Sequence, residues 1–180
     1  TESHEEETLR AGVWYVAMTH AGLVCLLVAF ILLMNTGAGA FADLRTGAGA
    51  LSTTTRNLIF LLALLGFGAK AGLIPLHVWL PRTYGAAPGQ IAALMSGAMS
   101  KLGVYGLLRV TFDLLGAGPK WWGVLIIAVG TTTAVLGILY ALMENDLKRL
   151  VAYSSIENLG IISIGAGAAL LFAATAALAL

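Results

Sequence analysis

The stretch that decides the fold is GFGAKAGLIPLHVWLPRTYGAAP, residues 66–88. It is apolar on both sides of a segment that holds Gly68, Gly72 and Pro75. Proline removes a backbone donor and clashes with the preceding turn, and glycine weakens a helix interior. We therefore predict one discontinuous helix, broken at these residues; a simple proline kink without function is the alternative. Because lipid offers no hydrogen bonds, the break should face the protein interior.

The composition indicates a membrane protein. Of the 180 residues, 59% are hydrophobic and 11% are charged, whereas a soluble domain normally has about 25% charged residues. The net charge of +1 gives no indication of nucleic-acid binding. The single cysteine excludes an intrachain disulfide, and no cluster of cysteine, histidine and carboxylate suggests a metal site. We predict an all-α fold: a polytopic transmembrane helix bundle.

Apolar runs long enough to cross about 30 Å of hydrocarbon recur along the chain, and the second run contains the break. A Gly/Ala/Thr-rich loop is expected over residues 35–55, and Asp146 is expected to cap a helix. The polar head, TESHEEETLR, is expected to be a solvated helix start or loop. These features divide a single transmembrane domain, residues 1–180, into about five predicted spans: residues 11–34, 56–84, 88–112, 121–143 and 147–171.

Both ends of the sequence suggest a piece of a longer protein. Thr1 is not a start methionine, and the last residues still belong to an apolar stretch. We therefore expect an internal segment of a longer polytopic chain.

Two lysines lie where a charge is unfavourable. Lys70 is near the middle of the second predicted span, and Lys101 is near the middle of the third. A lysine at the bilayer centre costs about 2.5–3.5 kcal/mol on insertion scales. Burial disfavours the charged form of an amine, so a buried lysine can lose and regain its proton. We predict that both lysines belong to a proton relay; a structural lysine paired with a carboxylate is the alternative.

Three further titratable residues are candidate members of this relay. His20 lies in the first predicted span, His77 follows Pro75, and Glu157 lies in the fifth. Histidine titrates near neutral pH, but an intramembrane histidine can also simply hydrogen-bond a neighbouring helix. Glu157 is either a relay member or the structural partner of a lysine. No catalytic residue, cofactor or metal is predicted, since phosphate-binding glycine loops and cluster-ligating cysteines are missing.

Three motifs carry a family resemblance: GFGAKAGLIPLHVWLPRTYGAAP, SGAMSKLGVYGLLR and ENDLKRLVAYSSIENLG. Together they resemble the antiporter-like membrane subunits of respiratory complex I and their relatives in energy-converting hydrogenases and multisubunit cation/proton antiporters. The third motif looks closest to the B subunit of the hydrogenase-4 and formate hydrogenlyase type. The most specific part of the resemblance is a pattern of six residues: Lys70, Pro75, His77, Trp79, Leu80 and Pro81.

The resemblance implies that this chain is the middle of a longer subunit. Lys70 matches the family's lysine on a broken helix, and Lys101 matches the lysine on the helix after it. The family's coupling glutamate would lie on the helix before Thr1. Lysine and arginine residues near the predicted span ends are balanced between the two sides, so charge bias gives no orientation. The resemblance places Thr1 on the cytoplasmic side.

The function implied is proton translocation in a redox-driven complex, of the energy-converting hydrogenase or NADH-quinone oxidoreductase type. Lys101 would receive a proton, Lys70 would pass or hold it, and redox chemistry would occur on other subunits. The expected partners are other membrane subunits, membrane lipid and protons, with no nucleic acid, in a multi-pass protein of the cell (inner) membrane. The main alternative is a cation/proton antiporter subunit without redox chemistry; a scaffold and a solute carrier are further alternatives.

Overall fold

The computed structural model describes residues 2–35, 41–116 and 118–179; the side chains of residues 2–4, 42 and 177–179 are outside this description. Residues 36–40 of the predicted loop also lie outside the described residues. Eight α-helices are found in the described part of the chain: α1 (Glu2–Met34), α2 (Phe41–Gly47), α3 (Thr53–Ala71), α4 (Trp79–Ala86), α5 (Gly89–Leu94), α6 (Ser100–Leu108), α7 (Lys120–Met143) and α8 (Leu147–Ala179). The predicted all-α bundle with one discontinuous helix is confirmed.

Four helical stretches in the described residues are long and apolar enough to cross a membrane: Glu5–Met34, Gly89–Leu114, Lys120–Met143 and Leu147–Ala176. The second of these joins α5 and α6 through a π-helical turn, Met95–Met99, and ends in another, Arg109–Leu114. The predicted second span is divided between α3 and α4, and neither helix alone is long and apolar enough to cross a membrane. The division into five spans therefore stays a prediction.

The polar head takes the first of its two predicted forms, a helix start, and the predicted loop contains helix. α1 already begins at Glu2, so the polar head is the first part of a long helix. α2 and a short 3₁₀ helix, Ala48–Ala50, lie within the predicted loop. The predicted cap is observed: the Asp146 carboxylate accepts hydrogen bonds from the backbone N–H groups of Lys148 and Arg149, which satisfies donors that a helix start leaves free.

The break begins where α3 ends. Gly72 has a φ of 89°, a left-handed conformation that glycine adopts without strain. The N–H groups of Gly72 and Leu73 both donate to the Gly68 carbonyl, at 2.8 and 2.9 Å. This pattern ends the helix, and Pro75 then supplies no N–H to restart it. Helical structure resumes at Trp79, the first residue of α4.

Side chains satisfy the backbone groups that the break leaves free. The Ile74 N–H donates to the hydroxyl of Thr133 on α7, at 3.1 Å. The indole N–H of Trp79 donates back to the Ala69 carbonyl of α3, at 2.9 Å. Thr133 and Trp79 are both fully buried. An interruption that would be unfavourable in lipid is thus stabilised inside the bundle.

Helices α7 and α8 form a closely packed hairpin through a glycine seam. A Cβ atom added to Gly130 would lie 2.8 Å from the Gly160 carbonyl oxygen, and one added to Gly160 would clash with the Ala134 nitrogen. Gly123 and Gly167 meet in the same way one repeat further along. Small residues of this kind let two helix backbones approach closely inside a membrane.

The two tryptophans at the start of α7 differ in their exposure and contacts. Tryptophan at a span end is typical of the membrane interface, but Trp122 is only 1% exposed. It stacks on Phe60 with ring centroids 4.4 Å apart and donates to the Asn57 side chain at 3.0 Å. Trp121 is 39% exposed and retains the position that suits an interfacial aromatic residue.

Candidate functional site

An open groove of about 540 Å³ lies beside the break, between α1, α3 and α6. Lys70 lines this groove from the last turn of α3. Tyr15, Thr19 and His20 line it from α1, and Leu102 lines it from α6. The structure thus brings two of the predicted relay residues, Lys70 and His20, to one groove. We call it the Lys70 groove.

Glycine contacts explain why these residues share a groove. A Cβ atom on Gly66 would lie 2.8 Å from the Gly22 carbonyl oxygen, so α1 and α3 cross at close range. Gly103 of α6 approaches the end of α3 equally closely, since its added Cβ would lie 2.7 Å from the Ala71 nitrogen. His20 is two residues from the first crossing, and Lys70 is one residue from the second.

Lys70 has no carboxylate partner within the described part of the chain. Its side chain is half-buried. The one ion pair found among the described residues joins Arg109 and Asp113. The described residues therefore do not provide the structural ion pair that was the alternative for Lys70.

The His20 ring is held by one of its two nitrogens. Its Nδ1 donates to the Val16 carbonyl at 2.8 Å, because a carbonyl oxygen can only accept. In a neutral ring, Nε2 is then the nitrogen that can accept a proton. His20 is exposed on the surface of this chain, at the wall of the Lys70 groove.

Lys101 is placed differently. It follows the π-helical turn Met95–Met99 and donates from Nζ to the Ser96 carbonyl, five residues back. Its side chain is exposed and does not line the Lys70 groove. Lys101 is therefore not part of the Lys70 groove.

His77 and Glu157 also lie away from the groove. His77 lies between α3 and α4, half-buried, and its ring stacks against Tyr140 of α7 with centroids 6.2 Å apart. Its Nδ1 is buried, and the Pro75 backbone lies within reach of the ring. Glu157 is half-buried on α8, where its backbone packs against Gly137.

A hydroxyl seam lies between α4, the α5–α6 helix and α8, and sequence reasoning missed it. Ser96 and Ser155 share a hydrogen bond of 2.8 Å between their hydroxyls. Ser100 is fully buried in the same region. The hydroxyl of Tyr84 is buried and lies close to the hydroxyls of Ser96 and Ser100. Serine in a span usually bonds a carbonyl of its own helix, so nothing in the sequence marks these as an interhelical cluster.

Comparison with known proteins identifies the family. The family described as NADH:quinone oxidoreductase/Mrp antiporter, TM, matches residues 1–180, and the chain belongs to it. The chain is 47% identical over 169 residues to hydrogenase-4 component B of Escherichia coli (strain K12), which covers 92% of this chain and 25% of that protein. It is 32% identical over 161 residues to an Na⁺/H⁺ antiporter subunit of Alkalihalophilus pseudofirmus, which covers 88% of this chain and 33% of that protein.

A solved structure shows the same fold. The membrane-bound sulfane sulfur reductase, an archaeal respiratory membrane complex, contains a chain that matches with a TM-score of 0.75 and 29% identity. The match covers 90% of this chain and 34% of that one. The predicted resemblance to antiporter-like subunits is confirmed, and the protein is a multi-pass membrane protein. The chain spans about a quarter of the length of hydrogenase-4 component B and about a third of the length of the Na⁺/H⁺ antiporter subunit.

Proposed function

We propose that this chain is the central part of a proton-translocating subunit in a redox-driven complex of the energy-converting hydrogenase or NADH-quinone oxidoreductase type. The observation that carries the proposal is Lys70, a half-buried lysine with no described carboxylate partner, at the end of an interrupted membrane helix. The subunit would lie in the cell (inner) membrane and contact other membrane subunits, lipid and protons. Redox chemistry would occur on those other subunits.

The position of Lys70 suits a group that handles protons. Lys70 lies in the last turn of α3, beside the break in the span. Its side chain lines an open groove and has no carboxylate partner among the described residues. Ionisable residues placed in this way inside a membrane commonly mark proton or ion pathways.

The other relay residues have separate parts in this proposal. His20, on the same groove, offers its Nε2 as an exchange partner for Lys70. Lys101 takes up a proton from one side, near the Ser96 end of the hydroxyl seam. His77 and Glu157 serve as further members between the break and α8. The glutamate that the resemblance implies on the preceding helix would face Lys70 and change its proton affinity by charge pairing.

The similarity to an Na⁺/H⁺ antiporter subunit supports a second candidate, a cation/proton antiporter subunit without redox partners. The two proposals differ in what drives the proton. Proton movement driven by electron transfer supports the first. Proton movement that requires an imposed Na⁺ or K⁺ gradient, and persists without electron donors, supports the second.

The test of the proposal uses the full-length subunit in its assembled complex, reconstituted in vesicles. We expect Lys70→Ala and Lys101→Ala each to reduce proton uptake at least about tenfold, because positioned proton-transfer groups contribute that much or more. Lys120→Ala is the control, since Lys120 is exposed at the start of α7 and lines neither the groove nor the seam. Proton uptake at the wild-type level in both variants, with normal assembly of the complex, would contradict the proposed relay.

A further inference from the structure

A second cavity, of about 500 Å³, lies at the end of the bundle where α1 and α8 begin and α4 ends. It is separate from the Lys70 groove. We call it the basic cavity, because its lining contains twice as many cations as carboxylates: Arg10, Arg82, Lys148 and Arg149 against Glu7 and Asp146. The lining therefore carries a surplus of positive charge and suits an anion.

The cations of the basic cavity retain unused donors. The Nε of Arg149 is buried and has no hydrogen-bond partner among the described residues. A Cβ atom on Gly85 would lie 3.2 Å from this Nε, so α4 passes beside it, and both residues line the cavity. Lys148 donates from Nζ to the Ala87 carbonyl at 3.0 Å, which uses one of its three donors. A buried guanidinium nitrogen without an acceptor is unfavourable and is satisfied when an anion binds nearby.

The two carboxylates do not neutralise these cations. Asp146 accepts from the backbone N–H groups of Lys148 and Arg149, at 2.8 and 3.2 Å, and so serves as the cap of α8. Within the described ranges, neither Glu7 nor Asp146 forms an ion pair, since the single pair found there is at the other end of the bundle. The surplus of positive charge thus remains available to a ligand.

We propose that the basic cavity binds a phosphate group, carried by the headgroup of an anionic phospholipid. The planar fork of arginine matches the oxygens of phosphate. Arg82 lies over the ring of Trp14, 5.1 Å from its centroid, and Trp14 is 39% exposed, as expected of a ring at headgroup level. Val13 and Leu147 are exposed and close in sequence to the lining residues Ala11 and Lys148, so they offer a surface to the acyl chains. Basic pockets between membrane helices bind anionic headgroups in this way.

A soluble phosphate compound could present the same group, so the test separates the two sources. The full-length subunit in its complex is delipidated and titrated with phosphatidylglycerol or with phosphatidylcholine, and bound lipid is counted by native mass spectrometry. We expect phosphatidylglycerol to be retained in preference to phosphatidylcholine. We also expect millimolar inorganic phosphate not to displace it, because the acyl chains add to its affinity.

Variants locate the site. Lys148→Gln should weaken phosphatidylglycerol binding about fivefold, the effect of one cation near a membrane surface. Arg82→Gln combined with Arg149→Gln should weaken it about 25-fold if the two cations act independently. Arg45→Gln is the matched control, since Arg45 is exposed at the opposite end of the bundle and should leave binding unchanged. Lys148 is exposed, so its variant stays informative if the double variant does not assemble.

Three results would overturn the proposal. Equal retention of the two lipids would show that the headgroup charge is not recognised. An equal loss of phosphatidylglycerol binding in Arg45→Gln would show that the basic cavity is not the lipid-binding site. Displacement of phosphatidylglycerol by inorganic phosphate alone would exclude the lipid as the occupant and assign the cavity to a soluble phosphate.

Discussion

The broken span and the α7–α8 hairpin satisfy their backbone hydrogen-bonding groups in opposite ways. The hairpin consists of two long, uninterrupted helices whose backbones meet at glycines, as at Gly130 and Gly160. Its backbone polar groups are satisfied within each helix. The span formed by α3 and α4 is interrupted, and Thr133 and Trp79 satisfy backbone groups near the break. One element is self-sufficient in lipid, and the other depends on its neighbours.

The difference shows how a membrane bundle can tolerate an interrupted helix. Thr133, which accepts the free Ile74 N–H, belongs to the hairpin. A closely packed neighbour holds this hydroxyl in position, so the break has a defined geometry. Lys70 lies on the interrupted span and not on the hairpin. We therefore regard the hairpin as the support, and the broken span as the element that exposes a titratable group.

The largest effect is expected from breaking the hairpin. In Gly160→Leu, the new Cβ would clash with the backbone nitrogen of Ala134, which cannot move aside without separating the helices. We expect a destabilisation of about 3 kcal/mol, the upper part of the range for overpacking. The measurement is the thermal midpoint and the amount of assembled full-length subunit in membranes.

Gly165→Leu is the control for that variant. Gly165 is on the same helix, and an added Cβ meets nothing within 4 Å. The substitution Gly165→Leu should leave the assembly of the subunit unchanged. Equal loss in both variants would mean that the seam is not what holds the hairpin together.

A smaller effect is expected where the hairpin supports the break. Thr133→Val keeps the side-chain shape but leaves the buried Ile74 N–H without its acceptor, which costs about 1–3 kcal/mol. Thr132→Val is the matched control, because the bond described for the Thr132 hydroxyl goes to the Ala128 carbonyl of its own helix. Hydrogen exchange at the Ile74 amide should rise in the first variant and not in the second. If the two variants behave alike, the break does not depend on α7.

The sequence predicts the break well because its causes are local. Pro75 and Gly72 act on their own turn of backbone, whatever surrounds them. The support for the break was not predictable, because Thr133 lies 59 residues after Ile74. Thr133 also bonds the Val129 carbonyl at 2.7 Å, so within its own helix it resembles any other threonine in a span.

The candidate site was predictable by residue type but not by position. Lys70 and His20 stand out as charged or titratable residues in apolar runs. That they share a groove follows from the Gly22–Gly66 crossing, which depends on how α1 and α3 rotate. The orientation of Lys101 depends on the π-helical turn before it, which inserts an extra residue and shifts the helix face without a recognisable sequence signal.

The most direct test of the central claim, that Lys70 exchanges its proton, is the substitution Lys70→Arg in the full-length subunit within its complex. Arginine keeps the positive charge but stays protonated in proteins. Proton uptake in vesicles is measured per assembled complex, with Lys120→Arg as the control. We predict that Lys70→Arg assembles normally and loses uptake at least about tenfold, as Lys70→Ala does. Normal uptake in Lys70→Arg would contradict the account and identify Lys70 as a fixed structural charge.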